Sequence, residues 1–209
     1  MVETSQPKRV LALGAHPDDI EIGCSGTLLK LADRGSEIFL YIATQGERGG
    51  EPELRKTEGE RSAERMNVKD LFWGGFIDCE VPHTVELIES IEKAVKASRP
   101  DLLLVHYTED THQDHRALGT AAQSAARRVP DFLFYESPTT LRFSPSIYCN
   151  IESTIARKID LLETHFSQVA RTNIEGLPIT DIARASAIRR GIEIFCQYAE
   201  AFMPTRLML

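Results

Sequence analysis

Short apolar runs alternate along this chain with longer stretches whose apolar residues recur at helical spacing, which predicts an α/β protein with a mainly parallel sheet. Strands are expected at Arg9 to Gly14, Glu37 to Ala43, Lys69 to Trp73 and Leu102 to Val105, with two more, of undefined register, at Phe132 to Tyr135 and Ser146 to Cys149. Between them the pattern predicts helices over Ser25 to Arg34, stopped by Gly35, over Glu53 to Met66 with a charged, outward-facing surface, and over Thr84 to Ser98 ahead of Pro100. Three further helices are expected: an alanine-rich one from Asp114 to Arg128, one from Ser153 to Phe166, and one from Asp181 to Phe202. The last places Ile182, Ala185, Ile188, Ile192, Phe195 and Ala199 on one face. Gly46 to Gly50 is a polar, mobile loop and residues 167–180 a connection. No repeat or linker divides the sequence, so one domain over residues 1–209 is expected, a Rossmann-like three-layer α/β sandwich.

Composition narrows the partners. Against 24 basic residues stand 31 acidic ones, a net charge of −7 without a dominant block of either sign, which argues against nucleic acid and anionic membranes and for a small-molecule substrate. The first residues lack the apolar centre of a signal peptide and no run approaches a membrane span of about 20 residues, so a cytoplasmic protein is expected. Cys24, Cys79, Cys149 and Cys196 form no C-x-x-C pair and are expected as reduced, mostly buried thiols. The apolar tail from Phe202 to Leu209 suits either a contact in a homo-oligomer or packing on its own domain.

The candidate chemistry sits at two strand ends. Directly after the first strand come Ala15, His16, Pro17, Asp18 and Asp19, and beyond the fourth come His112, Gln113, Asp114 and His115. Ligands of open α/β sheets bind outside the carboxyl ends of strands where the strand order reverses, and strands one and four commonly flank that crevice. The two clusters can therefore meet. Catalytic zinc takes three ligands from His, Asp and Glu and keeps one position open. His16 and Asp19 can supply two from one turn and His115 the third, leaving a charge sufficient to polarise a carbonyl and acidify a water. Asp18 is then free to accept a proton. His112, as an imidazolium across the substrate, can stabilise an oxyanion or protonate a leaving amine, and Asp114 is placed to orient a histidine. His106, ending the fourth strand, can also stand behind the ligands. Neither G-x-G-x-x-G nor G-x-x-x-x-G-K-[ST] occurs, so a nucleotide loop is weakly supported.

The stretch from Val10 to Leu29 resembles the opening motif of the PIG-L/LmbE-like family of zinc-dependent N-acetyl-sugar deacetylases, and His112 to His115 resembles its H-x-D-H motif. Thr44 to Glu47, Arg55 with Glu58, and Tyr198 to Phe202 are similar to weaker landmarks of that family. The resemblance implies one Zn2+ per chain, or Fe2+ or another divalent ion, on His16, Asp19 and His115, with Asp18 as general base and His112 as the electrostatic or acid histidine. It also implies that Arg55 and Asp78 hold the sugar of an N-acetylglucosamine-type conjugate, and Glu47 and Arg48 are further candidate contacts. Ser25 and Gln45 depart from the family pattern, in loops that bear on which sugar conjugate is taken. Two other classes compete: a phosphoesterase-like hydrolase, which generally needs two metals about 3.5–4 Å apart, and a non-catalytic carbohydrate- or nucleotide-binding protein on the same fold.

Overall fold

Alternating side chains along the central strands divide into two apolar layers. The computed structural model describes residues 6–172 and 174–208. In β1 (Arg9–Gly14), Leu11 and Leu13 face one side and Val10 and Ala12 the other, and β2 (Glu37–Thr44) and β4 (Leu102–His106) alternate in the same way. The first side packs on α3 (Val85–Ser98) through Leu87 and Ile91 and on α4 (Gln113–Ala125) through Leu118 and Ala122. The second packs on α1 (Asp19–Asp33), α2 (Pro52–Arg65) and α5 (Ile155–Thr164) through Ile20, Leu28, Ala63, Met66 and Leu161. Helices thus cover both faces of one sheet, the three-layer arrangement expected from the sequence.

Among the described residues seven strands run in the order β3-β2-β1-β4-β5-β7-β6. β3 (Asp70–Phe76), β2, β1, β4 and β5 (Asp131–Tyr135) are parallel, while β7 (Ala199–Arg206) and β6 (Ile147–Asn150) add antiparallel pairs. The order reverses between β1 and β4, the crevice anticipated above.

Three expectations fail: the bounds of two helices and the burial of the cysteines. The helix expected at Ser25 begins instead at Asp19, so Asp18 and Asp19 are its cap and first residue. The long final helix is two elements: α6 (Ile179–Glu193), then β7. Its buried face is Ala183, Ala187, Arg190 and Gly191, leaving Ile188, Ile192 and Phe195 exposed. At Gly191 a Cβ would lie 2.5 Å from the Cys196 carbonyl oxygen, and Phe195 takes a left-handed φ of 60°, so the chain folds back tightly into the strand. Phe202 is buried within β7 between β5 and β6, so this part of the apolar tail packs on its own domain. All four cysteines are free, but only Cys24 is buried, and Cys79 is exposed.

Buried polar contacts lock the elements that carry chemistry. The Glu200 carboxylate of β7 accepts N–H bonds from Gly26 and Thr27 of α1 at 2.9 and 2.7 Å, and pairs with Lys158 of α5 at 2.5 Å. Lys158 also donates to the Ile22 carbonyl at 2.7 Å. On the opposite layer, α4 lies against the end of β4 at Gly119, where a Cβ would sit 2.6 Å from the His106 carbonyl oxygen. Gly119→Ala is therefore expected to destabilise by about 1–3 kcal/mol through overpacking. A lowered urea midpoint at unchanged slope checks this.

Candidate active site

The parallel neighbours β1 and β4 end at the same edge of the sheet. Beyond β1 the chain turns into α1 through Asp18, whose φ of 99° lies in the left-handed region, a conformation costing about 1–3 kcal/mol that Asp tolerates better than most residues. Arg55 of α2 clasps this turn: its Nη2 donates to the Pro17 carbonyl at 2.9 Å and its Nη1 to that of Gly46 at 2.6 Å. Beyond β4, His112 caps α4, its Nδ1 accepting from the Asp114 N–H at 3.3 Å. The N-termini of α1 and α4 both carry acids in the first turn.

Asp19 is the hub. Its Oδ2 accepts the His16 N–H at 2.7 Å and lies 3.2 Å from His16 Nδ1 and 3.1 Å from His106 Nε2, while Oδ1 is 3.4 Å from His115 Nε2. His16 Nε2 faces Asp78 Oδ1 at 3.0 Å and Asp114 Oδ2 at 3.2 Å. His115 stacks on His106 with ring centroids 3.8 Å apart and on His112 at 4.7 Å. The residues expected from sequence at the two strand ends therefore converge. His16, Asp18, Asp19, His112 and His115 line a cavity of about 420 Å³ together with Arg48, Arg55, Asp78, Cys79, Ser137 and Arg171, with Asp114 buried behind them.

Several site residues hold others in place. Asp114 binds the Cys79 and Val81 N–H groups at 2.7 and 3.2 Å as well as facing His16, so it fixes the 78–81 loop and one ligand candidate together. Glu47 lies outside the cavity lining, and its Oε1 accepts the Asp78 N–H at 2.8 Å, a supporting contact where the sequence suggested a substrate contact. Arg55 and Glu58, read as part of a surface-facing helix, are 5% and 1% exposed. Asp110, missed in the sequence, accepts the His112 N–H at 2.8 Å and bonds from Ser137 and Thr140 at 2.7 and 3.0 Å, and its Oδ2 lies 3.2 Å from His115 Nδ1. Its only sequence signal is an acid two residues before the histidine motif. Asp110→Ala is expected to weaken divalent-ion affinity about 10- to 100-fold, measured by competitive chelator titration, because residues behind metal ligands fix their orientation.

The electrostatics suit a cation. Burial alone would raise Asp19, yet His115, His106 and His16 override it and hold the carboxyl well below its ordinary range. Burial would lower His16 and His115, but Asp19 and its neighbouring aspartates raise both, His115 to about 9. His106 is pushed down to about 4 by burial and by His115, so it is a neutral ring behind Asp19. Burial lifts Asp18 to about 6 against the pull of Arg55, whose Nη2 is 3.7 Å away. His112 is lowered by burial and by His16 and His115, and its Nδ1 serves as an acceptor. With Nδ1 accepting, a neutral His112 ring carries its proton on Nε2.

Imidazole nitrogens and carboxylate oxygens are the donor set of zinc and related divalent ions. Among the described residues three groups bring their donor atoms within 4.8 Å of one another: His16 with His112 and His115, Asp19 with His106 and His115, and His16 with Asp78 and Asp114. His16 and His115 each recur in two of these groups, and Asp19 lies within 3.4 Å of both. The buried His115 Nδ1 has no hydrogen bond of good geometry among the described residues, its ring N–H direction missing Asp110. A cluster so rich in acids and imidazoles fits a divalent cation.

Residues 11–126 match the PIG-L family, described as GlcNAc-PI de-N-acetylase. The chain belongs to this family. A PIG-L relative of Escherichia coli K12, the uncharacterized deacetylase YaiS, is 32% identical over 169 residues, covering 77% of this chain and 91% of that protein. The diacetylchitobiose deacetylase of Thermococcus kodakarensis is 32% identical over 188 residues, 77% of this chain and 70% of its own. Among solved structures, GalB, the 4-carboxy-2-hydroxymuconate hydratase from Pseudomonas putida KT2440, superposes with a TM-score of 0.84 over 96% of this chain and 98% of that one, at 16% identity. A hydratase on the same fold shows that the PIG-L architecture alone does not select the reaction. No helix among the described residues is long and apolar enough to cross a membrane.

Proposed function

We propose that this PIG-L chain is a metal-dependent hydrolase that removes the acetyl group from an N-acetylglucosamine-type amino-sugar conjugate. The observation that carries the reading is the position of Asp18: it lines the cavity beside Asp19, His16 and His115, yet stands outside the groups suited to hold an ion. One divalent ion per chain, zinc by its donor set, would sit on His16, Asp19 and His115 and supply the polarisation of the acetyl carbonyl and the acidification of the attacking water.

The chain's own residues do the rest. Asp18 takes a proton from the water as its oxygen bonds to the carbonyl carbon. His112 donates its Nε2 hydrogen bond to the oxygen on which negative charge develops, and the cap on Nδ1 keeps that tautomer in place. The C–N bond then breaks, the sugar nitrogen gains a proton, and acetate leaves. Asp18 holds the proton taken from water and can return it to the nitrogen. Arg55, clasping the Pro17 and Gly46 carbonyls, and Asp78, beside His16, line the cavity, and in this reading they contact the sugar.

The description of the matched family and the name of the Thermococcus relative both concern N-acetylated glucosamine compounds, which supports this substrate class. An acetate-release screen across N-acetylglucosamine conjugates tests it. Acetate and free amine in equal amounts are expected, and persistent binding of such sugars without acetate release would favour a non-catalytic binding protein.

A further inference from the structure

We propose that Arg171, with Arg48 beside it, forms an oxyanion subsite at the mouth of the cavity, so that the favoured substrate is an amino-sugar conjugate bearing a carboxylate or phosphate on its substituent. The inference rests on the deacetylase reading above and deepens it by naming the chemistry of the group beyond the sugar.

Arg48, Gly49 and Arg171 line the same cavity as Asp18 and the histidines. They come from separate segments that are fastened together. The Gly49 carbonyl accepts from both Arg171 Nη1 and Gln168 Nε2, which joins the 165–171 segment to the Gly46–Gly50 loop. Behind them Ser167 gives its N–H and its hydroxyl to the buried Glu58 carboxylate of α2 at 2.9 and 2.6 Å. Arg48 is anchored by its own N–H to Asp78 Oδ2 at 2.8 Å. The two guanidinium groups are thus carried on a braced rim, in contrast to side chains on a free loop.

Their charges are unequally satisfied. Arg48 pairs with the exposed Glu80 at 2.7 Å, as Arg157 pairs with Asp33 and Arg190 with Glu136 elsewhere. Arg171 has no carboxylate within 4.0 Å among the described residues, and its one hydrogen bond, to a neutral carbonyl, leaves Nε and Nη2 uncommitted. In a chain of net charge −7, a guanidinium without an acid beside it is placed over a cavity whose inner wall presents Asp18, Asp19 and Asp78. Asp19 and Asp78 are matched by the imidazoles beside them and Asp18 by Arg55, so the uncommitted cation at the mouth is what sets the orientation of an anionic substrate, with the charged group outward and the acetamide inward. The planar donor fork of arginine matches a carboxylate or a phosphate. A neutral substituent gains nothing from it.

The test compares kcat/KM of the metal-loaded protein on three N-acetylglucosaminides: a neutral methyl glycoside, the 1-phosphate, and a glycoside with a carboxylate-bearing aglycone. The wild type is expected to favour at least one anionic substrate by about tenfold or more, with a preference that shrinks at high salt. Which anion is preferred tells phosphate from carboxylate. In Arg171→Ala the anionic-to-neutral ratio is expected to fall about tenfold, through KM and not kcat, and Arg171→Lys to recover part of it. Acetate release from all three substrates without anionic preference, or a ratio that Arg171→Ala does not move, overturns the inference and leaves the deacetylase reading standing. Release from none of them removes that reading and the inference with it.

Discussion

Asp18→Asn lowers kcat by about 10²- to 10⁴-fold, the span general acid–base groups contribute, while the variant keeps the wild-type complement of metal. The substitution isolates proton transfer. Asn is nearly the same size as Asp and tolerates the left-handed region, so the φ of 99° that turns β1 into α1 carries little extra strain. An alanine there would confuse catalytic loss with backbone strain. Among the described residues Asp18 belongs to none of the groups whose donor atoms cluster closely enough to hold an ion, so the variant is expected to keep its metal. Single-turnover kinetics beside metal analysis of the purified variant checks both halves. A variant that loses its metal contradicts the division of labour between Asp18 and Asp19.

Asp19→Ala removes metal binding and stability together. The carboxylate is 7% exposed and faces three imidazoles, with Oδ2 also accepting the His16 N–H at 2.7 Å. Without it, His16 and His115 lose the partner that contributes most to raising them, and a buried charge is left uncompensated. Breaking a buried pair in this way costs about 3–5 kcal/mol. Stabilisation by bound metal is forfeited as well. The expected result is background acetate release, no metal retained after dialysis, and a denaturation midpoint well below wild type. Wild-type metal affinity in Asp19→Ala would remove Asp19 from the ligand set.

The two His/Asp clusters were legible because each follows an apolar strand and because β1 and β4 are neighbours at the reversal of strand order. Spacing on the chain could not show which donors face each other. His106, ending an apolar strand, is readable as standing behind the ligands but not as the partner of Asp19, and Asp110 reads only as one acid in a polar loop, though it lies behind His115. Arg171 comes from a segment read as a plain connection, and the bonds to Gly49 and Glu58 bring it to the cavity. The error at the carboxyl end has a clear physical origin. Ile188, Ile192 and Phe195 keep helical spacing but face solvent, and the chain past Gly191 is taken into the sheet by pairing of β7 with both β5 and β6. Tertiary pairing there overrode local periodicity.

The central claim is that a divalent ion at the Asp19 cluster is required for hydrolysis of an N-acetyl group, and metal withdrawal and return tests it most directly. Acetate release from an N-acetylglucosamine conjugate is followed before chelation, after chelation and gel filtration, and after stepwise addition of Zn2+. Activity is predicted to fall to background on chelation and to return at one ion per chain, with no return in Asp19→Ala. Acetate release that survives complete removal of metal, or that returns equally in Asp19→Ala, would contradict it.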